Sequence, residues 1–331
     1  MINLNNKTAV VFGGNGILGS NLIKKLLTNN ISKIHTTYHK KHDKIDILGI
    51  TCVAGNSTLI NTKQNALKIC SLIGRTDIPI YAGSDKPLKY KLVTAPNVHG
   101  KSGLDTDGET IVIQTGYNIQ KMHAVDFIIK KCLEEKDPIY LCPIGPLTNI
   151  ALALEKEPAI KKKIKEIIFM GGAAMCLGNT TPAAEFNIYV DPHAANIVLN
   201  SGVRTVMFGL DVTHKVNVND KIINNIKSNH NKSSILFADL MNFYSKTHRE
   251  VFEIDESPLH DPCVIGYLID ENIFSGKFVN VQVEEDSILT RGKTVTDWVK
   301  VTDRKPNCHV MVDANAEEFF SLLKTELKKL N

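Results

Sequence analysis

Short β-branched runs alternate with longer helical patterns through most of this chain, and that alternation limits its fold more than any other feature. The runs fall at residues 8–12, 18–27, 31–37, 47–53, 58–73, 78–81, 121–134, 139–142, 147–154, 164–170, 192–201 and 205–209. Strands that alternate with helices build a mainly parallel sheet covered by helices. The expected fold class is therefore α/β, an open, mainly parallel sheet flanked by helices on both faces. No Ser/Gly/Pro-rich linker or internal repeat interrupts the pattern, so residues 1–331 are expected to form one domain. Residues 217–252 read as a helical insertion, and 279–283, 293–301 and 310–312 as further strands before a last helix at 316–329. Periodicity leaves the strand order open.

Composition narrows the partners. The net charge of +4 is spread through Lys-rich helical patterns, and runs such as 161–163 are expected to be solvated faces, so neither nucleic acid nor a membrane surface is an expected partner. Seven cysteines (Cys52, Cys70, Cys132, Cys142, Cys176, Cys263 and Cys308) make an odd number without CxxC spacing, which suits free thiols in a reducing compartment. The N-terminus lacks a signal pattern and no run of about 18 apolar residues occurs. The expected location is cytoplasmic.

Polar residues gather where strands end. Residues 178–192, GNTTPAAEFNIYVDP, place Asn179, Glu185 and Asn187 around the flat face of Phe186, a mixture suited to a polyhydroxylated ligand with a ring. The strand-like 166–170 and the pair Gly171-Gly172 precede them. In SPLHDP, 257–262, vicinal His260 and Asp261 open an apolar helical pattern, either as a cap with a surface His or as groups aimed into a cleft. Asn56 follows the strand-like 47–53, where it either caps the helix of 58–73 or points into the same cleft. LCPIGPLTNI, 141–150, ends a strand in a Gly/Pro turn with exposed carbonyls, and His99 lies in the polar loop 97–104. These distant segments converge if an α/β sheet collects the loops beyond its strand ends into one crevice.

The segments ILGITCVAGN (47–56), NAL (65–67), IPIYAG (78–83), GPLTNIALA (145–153), MGG (170–172), 178–192, GLDVT (209–213) and PLHDP (258–262) together resemble the inosine-uridine-preferring nucleoside hydrolases, from about residue 45 to the C-terminus. The resemblance implies hydrolysis of the N-glycosidic bond of a ribonucleoside to ribose and free base, assisted by one bound calcium ion, in a homodimer or homotetramer. It implies that Asn56, Asn179, Glu185 and Asn187 bind ribose and that Phe186 lines the pocket. Asp261 and the backbone carbonyl of Ile144 would be calcium ligands, His99 and His260 would lie near the base, and His260 would be the leaving-group acid. Oxygen ligands suit a hard cation, and the chemistry needs acceptors for sugar hydroxyls, an activated water and a proton for the base.

One motif departs from that family. Its first strand ends in an Asp-rich turn, D-x-D-x-G-x-D-D, that supplies the catalytic base and most calcium carboxylates, whereas this chain has FGGNGILG at 12–19. Matching the turns without a gap keeps Gly16 but sets Phe12, Gly14, Leu18 and Gly19 at the four Asp positions. Calcium is therefore in doubt, and impaired hydrolysis or a catalytically inactive nucleoside-binding module are the expectations this raises. Asp105, Asp107 and Glu109 are the nearest acidic replacements in sequence. The segment 1–44 is itself an atypical first βαβ unit, with G-x-G-x-x-G at Gly14, Gly16 and Gly19, and it resembles the start of short-chain dehydrogenases. Tyr38 and the basic residues after it would favour a 2′-phosphate. No dehydrogenase Tyr-x-x-x-Lys pair follows in the right setting, so NAD(P) binding is the lesser alternative.

Overall fold

The computed structural model describes residues 7–12, 45–104, 114, 116–252 and 257–330. Among the described residues nine strands form one sheet: β1 (Lys7–Phe12), β2 (Ile45–Cys52), β3 (Ile80–Ala82), β4 (Ile139–Pro143), β5 (Ile164–Met170), β6 (Thr205–Phe208), β9 (Phe274–Val283), β10 (Thr294–Asp297) and β11 (Cys308–Ala314). The short β7 (Asn217–Val218) and β8 (Ser257–Pro258) pair separately. The order is β10-β9-β11-β6-β5-β4-β1-β2-β3. From β3 across to β11 every neighbouring pair is parallel, and β9 is antiparallel to both β11 and β10. This is the open, mainly parallel sheet predicted.

Both faces of the sheet are covered, and for that reason its strands read as nearly unbroken apolar runs. Along β5, Ile167 and Phe169 join one buried cluster while Ile168 and Met170 join the other. On the first of these clusters lie Ala194, Ala195 and Val198 of helix Pro192–Leu199, and on the second lie Ile69 and Cys70 of helix Leu59–Leu72. That last helix starts at Thr58, whose Oγ1 accepts the Asn61 N–H at 3.4 Å, so the cap is Thr58 and not Asn56.

Strand order fixes where a ligand can sit. The chain moves outward from β1 through β2 to β3 in one direction and from β4 through β5 to β6 in the other, so the order reverses between β1 and β4. Crevices in open α/β sheets form beyond the carboxyl ends at such a reversal. Here Phe12 stands level with Thr51 of β2 and Pro143 of β4.

Two expectations shift. The strand predicted at 293–301 is only β10, because the Asp297 carboxylate accepts the Val301 and Thr302 N–H groups at 2.8 and 2.9 Å and turns the chain away. The insertion at 217–252 contains β7 as well as helices Asp220–Lys227 and Lys232–Phe252. The patterns at 18–27 and 31–37, Gly14, Gly16, Gly19, Tyr38, Asp105, Asp107 and Glu109 lie outside the described residues. All seven cysteines are free, six of them buried. Among the described residues no helix is long and apolar enough to cross a membrane.

Candidate active site

The chain leaves β5 through Gly171 and Gly172. Gly172 has φ +91°, and a Cβ there would meet Met207 Sδ at 2.8 Å, so a side chain is excluded on both counts. Its N–H donates to Glu185 Oε2 at 2.9 Å. Glu185 also caps helix Phe186–Val190, with Oε1 accepting the Asn187 N–H at 3.0 Å and Oε2 the Ile188 N–H at 3.3 Å. Burial pushes its carboxyl up to about 7, against the pull of these backbone donors. Asn187 is buried and its Nδ2 donates to the Met170 carbonyl at 3.1 Å, which pins this helix to the end of β5. Asn179 is exposed, and its Oδ1 accepts the Phe186 N–H at 3.0 Å. Asn179 is thus first a brace for the wall that Glu185, Phe186 and Asn187 form.

A second wall comes from the far side of the insertion. Pairing of β7 with β8, continued by the Leu259 N–H donating to the Val216 carbonyl at 2.9 Å, returns the chain to the end of β6. His260 Nδ1 then lies 2.8 Å from Thr213 Oγ1, and its ring centre is 5.8 Å from that of His214. Asp261 stands before helix Pro262–Ile269 but makes no capping hydrogen bond, which removes the cap reading of this residue. It is buried, and burial first and the Glu185 charge second raise its carboxyl well above the usual range. The Glu185 charge thus reaches Asp261, although 76 residues separate them in the numbering.

His99 approaches from the loop beyond β3. The Ala95 N–H donates to the Asn56 carbonyl at 3.0 Å, so Asn56 and the short helix Pro96–His99 are held together. The His99 ring is stacked with Tyr244 of helix Lys232–Phe252, centroids 6.2 Å apart and planes 15° apart. His99 Nδ1 is shut from solvent without a partner among the described residues, and burial pulls the imidazole down to about 4, so it is neutral at pH 7. Burial and then Asp261 raise the Tyr244 phenol, which places Tyr244 in the same electrostatic environment.

Sequence reasoning did not single out Tyr244, because a buried Tyr on an amphipathic helix carries no signal distinct from core. It also missed Asp211, whose carboxylate accepts the Ala174, Met175 and Cys176 N–H groups at 2.7, 2.8 and 3.1 Å and so shapes the loop after β5.

The crevice offers few oxygens to a calcium ion. Ile144 lies just past β4 at the reversal point and is buried, and Asp261 is a buried carboxylate. Both oxygens of Glu185 are engaged by backbone donors. Among the described residues no three His, Cys, Asp or Glu side chains cluster as a metal site, and residues 1–42 contain no Asp or Glu. One carboxylate and one carbonyl fall far short of the roughly six to eight oxygens calcium takes. The donor set of the described residues does not fit the ion.

The chain as a whole is similar to known proteins. A family model described as inosine-uridine preferring nucleoside hydrolase matches residues 33–321. The chain is 43% identical over 286 residues to a pyrimidine-specific ribonucleoside hydrolase, RihA, of Shigella boydii, covering 86% of this chain and 91% of that one. Among solved structures it resembles a plant nucleoside hydrolase with TM-score 0.86 and 30% identity, covering 97% and 99% of the two chains. A purine-preferring ribonucleoside hydrolase from Gardnerella vaginalis superposes with TM-score 0.85 at 28% identity, covering 97% and 98%.

Proposed function

The chain belongs to the inosine-uridine preferring nucleoside hydrolase family, and from that membership we propose that it hydrolyses the N-glycosidic bond of pyrimidine ribonucleosides to ribose and free base. The observation that carries the reading is the meeting of two independent walls, Glu185 with Asn187 from the end of β5 and His260 with Asp261 from beyond β8, in one crevice. The choice of pyrimidine rests on the 43% identity to a hydrolase of that specificity.

In this reading Glu185 and Asn187 accept and donate to the ribose hydroxyls, with Asn56 and Asn179 at the rim and Phe186 against the ring. As the C1′–N bond lengthens, positive charge grows on ribose and negative charge on the base. The carboxylates of Glu185 and Asp261 face the first, and His260, oriented by Thr213, donates a proton to the second. Neutral His99, backed by Tyr244, offers the base a hydrogen-bonding edge.

Water activation is the weak step. The first-strand turn that supplies the family's catalytic base carries no carboxylate in this chain, because residues 1–42 contain no Asp or Glu. Loss of general-base assistance typically costs about 10²–10⁴ in rate, and turnover is accordingly slow rather than absent. Family membership supports a homodimer or homotetramer, read by light scattering, and seven free thiols suit a reducing compartment such as the cytoplasm.

Purified protein incubated with uridine is expected to release ribose at a low rate that Asn187→Ala and His260→Ala reduce further. Release of no ribose at high enzyme concentration, with calorimetric binding of uridine retained, would replace hydrolysis with the binding-module reading. Preference for inosine over uridine would overturn the base assignment alone.

A further inference from the structure

A cavity of about 950 Å³ opens at the other end of the sheet from the nucleoside crevice. β6 connects the two, running from Thr205 beside the cavity to Phe208 beside the crevice, roughly 10 Å over three extended steps. Its wall combines Arg204, at the entry to β6, with Arg304 and Lys305, which precede β11, and with Phe278, Asn280 and Gln282 along β9. None of the residues that line it is acidic. Arg204 is paired with Glu166 at 2.8 Å, whereas Arg304 and Lys305 are exposed and form no ion pair among the described residues.

Two further features show what the cations would face. Phe278 leaves 51% of its surface exposed inside a polar, basic surround, a flat apolar platform of the kind that ring systems stack on. Asn280 is 6% exposed, and while its Nδ2 donates to the Lys305 carbonyl at 2.7 Å, its Oδ1 is buried without a partner among the described residues. A buried acceptor without a donor is unfavourable. A hydroxyl or amine entering beside Lys305 would complete it.

We propose that this cavity is a second binding site, separate from the nucleoside crevice, that takes a mononucleotide. The phosphate lies against Arg304 and Lys305, the base against Phe278, and a donor of the ligand meets Asn280 Oδ1. A free phosphate would use the cations but leave Phe278 idle, and a nucleoside would leave both cations uncompensated. The volume falls within the range of cavities that enclose small organic ligands. This assignment does not depend on the hydrolase activity, because none of its residues belongs to the crevice.

Isothermal titration of the full chain with inosine 5′-monophosphate tests it, this purine ester being outside the substrate class proposed above. Binding is expected, weakened at least tenfold in R304A/K305A and at least threefold in F278A, and unchanged in the nucleoside-crevice variant N187A. These side chains are exposed at the cavity, so thermal unfolding of R304A/K305A and F278A should match the parent. The proposal is overturned by absence of binding, by equal affinity in R304A/K305A, by loss of binding in N187A, or by inorganic phosphate binding as tightly as the nucleotide.

Discussion

Thr213 Oγ1 and His260 Nδ1 lie 2.8 Å apart although 47 residues separate them in the chain. The helical insertion leaves and returns between them, and the pairing of β7 with β8 closes it. The orientation of the proposed acid is therefore set by a residue just beyond β6, and the contact on one ring nitrogen determines which nitrogen is left to carry the transferable proton.

Removing that contact tests the role of His260 without touching substrate. Thr213→Val is expected to lower kcat about tenfold with KM within twofold, and His260→Ala to lower it about 10²–10⁴-fold. In T213V/H260A the rate should equal that of H260A, because the hydroxyl acts only through the imidazole. Steady-state kinetics of the three variants with uridine check this, and multiplicative losses would contradict it.

Glu185 makes stability depend on pH. Its folded carboxyl is raised to about 7 from 4.5, so the folded state holds the proton more tightly than the unfolded chain. That contribution is fully present below about pH 4.5 and is lost as pH rises toward 7, on the order of 3 kcal/mol in all. His99, lowered to about 4, acts in the opposite sense, its neutral form stabilising above about 6.5 and losing that contribution as pH falls. The difference between the parent and Glu185→Gln isolates the carboxylate. Urea midpoints from pH 4.5 to 7.5 should show the parent losing stability relative to E185Q as pH rises, and a constant difference would refute the assignment.

Much of this architecture was legible before any coordinates. Two-sided burial made β5 an apolar run, and a strand of that kind followed by Gly171-Gly172 marked where a ligand wall would begin. Asn187 and Glu185 were visible because polar groups between apolar runs are costly unless bonded, and the Met170 carbonyl and Gly172 N–H are the bonds they make. What sequence could not supply were relations across the fold. Nothing local shows that Tyr244 faces His99, that Thr213 meets His260, or that the strand order reverses at β1 and β4. Asp261 illustrates the limit from the other side, since a residue before a helix reads as a cap until its side chain is seen to make none.

Calcium should matter little to this chain. Asp261 and the Ile144 carbonyl leave most of a calcium shell unfilled, and residues 1–42 bring no carboxylate. Neither 5 mM calcium nor chelator, concentrations of roughly the order at which weak extracellular calcium sites saturate, is expected to move Tm by more than about 1 °C or to change ribose release by more than about twofold. Metal analysis of the purified protein should find calcium well below one equivalent. A stoichiometric ion that survives dialysis would show that carboxylates such as Asp105, Asp107 or Glu109 complete the shell.

Arg291 offers a test of how the ribose wall is held. Its guanidinium carbon sits 4.3 Å from the ring centre of Tyr90 and 4.1 Å from that of Tyr189, so one cation joins the loop beyond β3 to helix Phe186–Val190. The same junction is fastened by the Tyr90 hydroxyl donating to the Glu285 carbonyl at 2.6 Å and by Lys89 with Asp286 at 2.8 Å. Gly292 follows at φ +82°, and a Cβ there would meet Tyr189 Cα at 2.8 Å, so the backbone presses directly on the helix that carries Phe186 and Asn187. Cation–π contacts contribute about 0.5–2 kcal/mol each. Arg291→Ala is therefore expected to destabilise the fold by about 1–3 kcal/mol and to raise KM several-fold while leaving kcat within about twofold, because the wall loosens but His260 does not move. Arg291→Lys should recover little of the loss, since an ammonium cannot stack its plane between two rings. Urea denaturation with uridine kinetics on both variants checks this. An unchanged KM in R291A would show that the helix is held by Glu185 and the end of β5 alone.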